Sequence, residues 1–230
     1  MKWLHILRRW FQNGARLTAA ALAFVCLLTC LQSGAMAAKT QAVSQGTDGA
    51  ALMFNVYQNT DQVYEILDIL SDNDVKATFF VGGIWAQQNP DALLAIEQAG
   101  HEIGNHGFNH KLPTKAGNEI AMEEIRRTEA VLMGILGHGS TLYAPPAGDY
   151  NQGTVDAAAD MGMITVLWSA DTIDWRDQDA ALILSRAQEK MGDTGFLLMH
   201  PTPATVEALA DIIDTLRGRG LRLTTVSDAL

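Results

Sequence analysis

Two histidines four residues apart, His106 and His110, lie in the run Gly104-Asn105-His106-Gly107-Phe108-Asn109-His110, and a third, His200, stands in Leu198-Met199-His200-Pro201. Neutral imidazole nitrogens bind Zn²⁺, Co²⁺ or Ni²⁺ at about 2.0–2.1 Å, and an i, i+4 pair on one helical turn aims both rings at the same ion. The third histidine suits proton transfer, because an imidazole titrates close to neutral pH. Taken alone, the HxxxH spacing is equally that of two solvated loop histidines, so the neighbouring segments decide its meaning.

Those histidines can meet only if the elements around them gather strand ends in one place. Ala51-Leu52-Met53-Phe54-Asn55-Val56 is a short apolar run of buried-strand type, and Val63, Ile66, Leu67 and Leu70 then recur at i, i+3, i+4, i+7. Residues 76–81 read as the next strand, closed by Gly82-Gly83, and Asn89-Pro90 opens a helix that stops at Gly100. A short strand at 101–104 leads through the histidine loop to a long helix with Ala121, Ile125, Thr128, Leu132 and Ile135 on one face. Strand-like runs at 141–143, 163–167, 196–199 and 221–225 alternate with helical stretches at 152–161, 178–190 and 205–217. Seven strands alternating with helices predict an α/β fold, a distorted (β/α) barrel of parallel strands, with its site at the strand C-terminal ends.

The first 37 residues stand apart. Lys2, Arg8, Arg9 and Arg16 occur with no acid, followed by a run at 17–31 that is apolar apart from two threonines. About fifteen apolar residues fall short of the roughly 20 that span a bilayer as a helix, and Ala35-Met36-Ala37 offers small residues for signal peptidase. The expectation is a signal peptide cut after Ala37 or Ala38, with an uncleaved N-terminal signal anchor over 1–38 as the alternative. A lipidated Cys30 is the weaker reading, since Thr29 is larger than the residues usually found before such a cysteine. In every case the domain lies outside the cytoplasmic membrane, secreted or anchored to its outer face. Residues 39–49, rich in Gln, Ser, Thr and Gly, read as a flexible linker, and 50–230 as one domain.

Both cysteines, Cys26 and Cys30, belong to the export segment, so the domain relies on its core and not on disulfides. The whole chain carries a net charge of −10; without residues 1–37, 12 basic residues face 26 acidic ones, a balance of −14. Nucleic acid is excluded as a partner on that charge, which otherwise serves solubility.

Four ordered motifs give the chain a family likeness: Lys76-Ala77-Thr78-Phe79-Phe80-Val81; Gly100-His101-Glu102-Ile103-Gly104-Asn105-His106 with His110; Trp168-Ser169-Ala170-Asp171-Thr172-Ile173-Asp174-Trp175; and Leu198-Met199-His200-Pro201. Over residues 50 to 230 the sequence resembles the polysaccharide deacetylases of carbohydrate esterase family 4. The resemblance implies a distorted (β/α) barrel that removes N-acetyl, in some members O-acetyl, groups from cell-wall or other extracellular glycan. It also implies a divalent metal, zinc with cobalt or nickel as alternatives, held by an Asp-His-His set that polarises the acetyl carbonyl and the attacking water. His106 and His110 match the two metal histidines. His200 matches the general acid and Asp174 its carboxylate partner, Trp175 and Leu198 the lining of the acetyl-methyl pocket, and Tyr143, Pro145 and Pro146 the substrate-binding third motif.

The pattern breaks at one half of that site. Where the family reads Thr-Phe-Asp-Asp-Gly, this chain reads Met53-Phe54-Asn55-Val56-Tyr57. Asn55, in the base position, can orient a water but has no basic carboxylate to take its proton, and Val56 has no ligand atom at all. The family's Arg-Pro-Pro is here Ala144-Pro145-Pro146. Loss of the base and of its arginine go together, because a buried guanidinium without its carboxylate costs several kcal/mol, on the order of 3–5. Asp61, Asp149 and Asp171 lie near strand ends, and Asp171 is the foremost candidate substitute ligand or base. Helix capping and a turn are the ordinary explanations of Asp61 and Asp149.

The expected function is metal-assisted hydrolysis of a carbon–nitrogen bond other than a peptide bond, acting as a monomer on cell-wall glycan, with contact to the membrane only through an uncleaved N-terminus. The alternative is a catalytically impaired glycan-binding or structural protein of the same fold.

Overall fold

The computed structural model describes residues 40–230. The N-terminal segment read from sequence as an export signal, with Cys26 and Cys30, lies outside the described residues.

Strand β1 (Ala50–Val56) is followed by α1 (Thr60–Asp72), β2 (Thr78–Val81), α2 (Gly83–Gln88), α3 (Pro90–Gln98) and β3 (Glu102–Asn105). Next come α4 (Pro113–Ala116), α5 (Asn118–Leu136), β4 (Leu142–Tyr143), a turn at Pro146–Gly148, α6 (Gln152–Asp160), β5 (Ile164–Thr165) and β6 (Ala170–Asp171). The chain ends with α7 (Ala180–Lys190), β7 (Phe196–Met199), α8 (Pro203–Gly218), β8 (Leu223–Thr224) and α9 (Val226–Ala229).

The sheet runs β5-β4-β3-β2-β1-β7-β6, with β8 pairing the first residues of β1, and every pairing is parallel. This is the expected distorted barrel, left open between β5 and β6. Four elements exceed the sequence reading: α2, α4, β6 and α9. The two-residue strand β6 is too short to show a periodicity, and α2 is a single six-residue segment before the helix that Pro90 starts. Among the described residues no helix is long and apolar enough to cross a membrane.

Strand alternation divides β1 between two cores. Ala50, Leu52, Phe54 and Val56 join the cluster beneath the helices, which includes Val63, Ile66 and Leu70 of α1, while Ala51 and Met53 face the barrel interior with Phe80, Phe196 and Leu198. The helices stop and start where local chemistry directs. Asn151 caps α6 through a capping box with Thr154, Asp179 accepts from Leu182 N–H at the start of α7, and Thr202 accepts from Thr205 N–H ahead of Pro203 in α8.

The reading of 39–49 as a flexible linker is corrected over its described residues, 40–49. Val43 N–H donates to Thr165 O at 2.9 Å, Leu167 N–H donates to Val43 O at 2.7 Å, and Thr47 N–H donates to Ala229 O at 2.7 Å. Gly46 passes so close to the Ala229 carbonyl that any side chain there would collide with it. A composition rich in small and polar residues here reflects close backbone approach, not freedom.

Candidate active site

The ends of β1, β3, β6 and β7 surround a cavity of about 380 Å³. Alternation turns Asn55 inward, 2 % exposed, with its Oδ1 unpartnered. Tyr57, two residues on, lines the same cavity, whereas Val56 is fully buried in the helix-side cluster.

His106 and His110 leave the end of β3 on a loop, not on a helical turn as their spacing suggested. Gly107 (φ 73°) and His110 (φ 54°) take left-handed conformations that fold the loop back on itself. Buried polar groups hold it there. Asn105 donates to Ile125 O and Glu129 Oε1 and accepts from Gly107 N–H. Glu124, on α5 and 4 % exposed, accepts from the backbone N–H groups of Phe108 and Asn109 and meets Lys111 at 3.7 Å. The two imidazole rings end 5.2 Å apart, centroid to centroid.

His106 Nδ1 lies 2.8 Å from Ala144 O and so carries the proton, leaving Nε2 buried with an unpartnered lone pair. That is the orientation a metal ligand needs. Burial, then the neighbouring His110, lowers the pKa of His106 to about 3, and burial lowers that of His110 as well, so neither proton competes strongly for the nitrogens. No third His, Cys, Asp or Glu completes a metal cluster among the described residues. The donor set therefore fits a divalent ion in two positions and lacks the carboxylate.

Across the cavity, His200 Nδ1 is 2.8 Å from Asp174 Oδ1, while Asp174 Oδ2 accepts from His200 N–H at 2.6 Å and Thr205 Oγ1 at 2.7 Å. Asp174 is fully buried and caps no helix. Its motif is bent by Ile173, a β-branched residue at φ 57°, and Arg186 anchors the preceding Thr172 carbonyl at 2.8 Å. Such outliers concentrate where the surroundings impose a geometry.

Of the substitute acids, Asp171 alone lines the cavity, with Oδ1 accepting from Ile173 N–H at 2.7 Å. Asp61 is exposed in the first turn of α1, and Asp149 is tied to Thr114 N–H and Oγ1 at 2.8 and 2.7 Å. Leu198 lies on the cavity wall, 2 % exposed, and Trp175 stands at the rim, 55 % exposed, which removes the ordinary-core explanation for the tryptophan. Three expected substrate contacts are corrected. Tyr143, Pro145 and Pro146 are buried and do not line the cavity; Tyr143 packs in a satellite core with Ile125, Ala158 and Met163. Burial pushes its phenol well above the ordinary range. Ala147, which follows Pro146, reaches the cavity from the turn instead.

Sequence reasoning missed Tyr57, Trp168 and Ala147 as lining residues, Glu124 as the loop's anchor and Thr205 as a partner of Asp174. The ring of Tyr57 lies 4.4 Å from that of His110 and 6.2 Å from those of His106 and His200. Its pKa is raised by burial and by the charge of Asp174, so it stays a neutral donor. Strand alternation, which points 51, 53, 55 and 57 inward, was the available signal.

The sequence profile described as polysaccharide deacetylase matches residues 42–166. The chain is 33% identical over 180 residues to the uncharacterized protein YlxY of Bacillus subtilis, covering 78% of this chain and 56% of that one. It is 33% identical over 190 residues to the peptidoglycan-N-acetylmuramic acid deacetylase PdaC of the same organism, covering 82% and 40%. The chain thus spans about half the length of these two relatives. Among solved structures, BA3943 of Bacillus anthracis, described as a CE4 family pseudoenzyme, superposes with a TM-score of 0.81 at 29% identity over 84% of this chain and 69% of that one. A mutant of BA3943 described as having restored enzymatic activity aligns with the same TM-score, at 27% identity over 84% of this chain and 72% of that one.

Proposed function

This chain belongs to the polysaccharide deacetylase family, and from that premise we propose that it is a hydrolase removing acetyl groups from cell-wall glycan outside the cytoplasmic membrane, as a monomer. The observation that carries this reading is the intact His200–Asp174–Thr205 arrangement facing His106 and His110 across one cavity.

His106 Nε2 and His110 would hold a divalent ion, zinc with cobalt or nickel as alternatives, which when bound supplies Lewis acidity to the acetyl carbonyl and to water. The protein's own groups divide the rest. Asp174 accepts the Nδ1 proton of His200 and so turns the opposite nitrogen toward the cavity; in the doubly protonated ring the N–H there can pass its proton to the departing amine. Leu198 and Trp175 present apolar surface for the acetyl methyl group. Asn55 can hold the attacking water by its amide but cannot take its proton, which leaves Asp171 as the candidate base.

The second reading, binding of acetylated glycan without turnover, is favoured by Asn55, Val56 and Ala144 together, which remove the base, the carboxylate ligand and the arginine. Metal content by mass spectrometry and acetate release from peptidoglycan and chitooligosaccharides separate the two. Hydrolysis predicts bound metal, acetate lost in His106→Ala, and a decrease of about 10²–10⁴ in turnover for His200→Ala with metal retained. Glycan bound without acetate from wild type selects the second reading, and no glycan bound refutes both.

A further inference from the structure

Tyr57 has no part in either form of that function, yet it occupies the middle of the cavity. It stands where the family pattern has glycine, and its ring packs 4.4 Å from His110 and within 6.2 Å of both other histidines. Its hydroxyl has no hydrogen-bond partner among the described residues. Two other polar atoms of the same cavity are orphaned: Asn55 Oδ1, in a residue 2 % exposed, and His106 Nε2, in a residue 1 % exposed. Buried polar atoms are rarely left unpaired, so these two acceptors, beside the hydroxyl of the half-buried Tyr57, call for a ligand with the complementary pattern.

The Tyr57 hydroxyl offers a donor and these two atoms offer acceptors, beside the apolar surface of Leu198 and Trp175. A secondary amide bearing a methyl group matches that pattern: its carbonyl needs a donor, its N–H an acceptor and its methyl an apolar wall. An O-acetyl ester lacks the N–H and would leave the buried acceptor unpaired, and a free ammonium lacks the carbonyl.

We propose that Tyr57 determines specificity in this cavity, its hydroxyl donating to the carbonyl oxygen of an N-acetyl group whose N–H is accepted by Asn55 Oδ1. The proposal rests on the reading that the cavity receives acetylated glycan, and it holds whether or not the glycan is hydrolysed. The group that binds the carbonyl is then a side chain, so recognition survives without a metal ion.

The test is calorimetric titration of the full chain, in excess EDTA, with N-acetylated chitotetraose and with its fully deacetylated counterpart. Wild type is expected to bind the acetylated oligomer at least about tenfold more tightly, and Tyr57→Phe to lose about tenfold of that affinity, the worth of one hydrogen bond to a buried carbonyl. Undiminished affinity in Tyr57→Phe, or binding abolished by EDTA, overturns the role of Tyr57 and leaves the glycan reading standing. Equal affinity for the two oligomers, or binding of neither in a parallel titration without EDTA, overturns both.

Discussion

Replacing Asp174 by alanine and by asparagine should give losses that differ by a calculable amount. The carboxylate accepts three hydrogen bonds in a fully buried position, two from His200 and one from Thr205. In Asp174→Ala the Thr205 hydroxyl can turn to Thr202 Oγ1, already 2.8 Å away, but the backbone and ring N–H groups of His200 have no substitute. Two buried donors left unpaired cost about 1–3 kcal/mol each, or about 4 kcal/mol together. With a urea slope of about 2 kcal/mol/M, the unfolding midpoint falls by about 2 M.

In Asp174→Asn the amide oxygen can keep the bonds to His200 N–H and Thr205, while the amide nitrogen meets His200 Nδ1. The ring must then shift its proton to the other nitrogen, at a cost of about 1–2 kcal/mol and a midpoint shift below about 1 M. Nitrogen-15 NMR of the His200 ring reads the tautomer directly. An asparagine variant as unstable as the alanine variant, or one whose Nδ1 stays protonated, would refute the reasoning.

Three further outcomes are expected. Glu124→Ala orphans the Phe108 and Asn109 N–H groups and should cost about 2–5 kcal/mol by denaturant unfolding, with faster amide exchange along the histidine loop than in wild type. His106, neutral in the fold and lowered to about 3, is protonated more readily when unfolded; its contribution is present above pH 6.5 and lost as pH falls toward 3. On the order of 3 kcal/mol should therefore disappear between pH 7 and pH 4, and a His106→Asn variant with the same acid slope would sink this account. Trp175→Ala, at an exposed rim position, should change stability by less than about 0.5 kcal/mol while weakening oligosaccharide binding about tenfold in titration; a large drop in stability would return it to the core.

The parallel barrel and the order of its elements were legible because β1, β2 and β7 are continuous apolar runs and α1, α5 and α8 carry clean helical stripes. The pairing of His200 with Asp174 was legible only through the family motifs, since nothing in local spacing joins residues 26 apart. The histidine pair was found, but its support was not. A loop shaped by left-handed residues and a buried Glu124 leaves no periodic trace. Of the two-residue strands, β4, β5 and β8 lie inside strand-like runs read from the sequence, whereas β6 left no run of its own; that Tyr143, Pro145 and Pro146 turn into the core is decided by tertiary packing.

The bonds that tie residues 43–49 to the barrel also govern its order of assembly. Thr47 Oγ1 donates to Leu230 O, 183 positions later, and β1 at the centre of the sheet waits for β7 and β8 to cover its second edge. Contacts of such high sequence separation slow folding, because the loop-closure entropy comes before any reward. A chain that emerges with its N-terminus first must therefore carry its central strand unpaired on one side until β7 and β8 have arrived, exposed meanwhile to association with other chains.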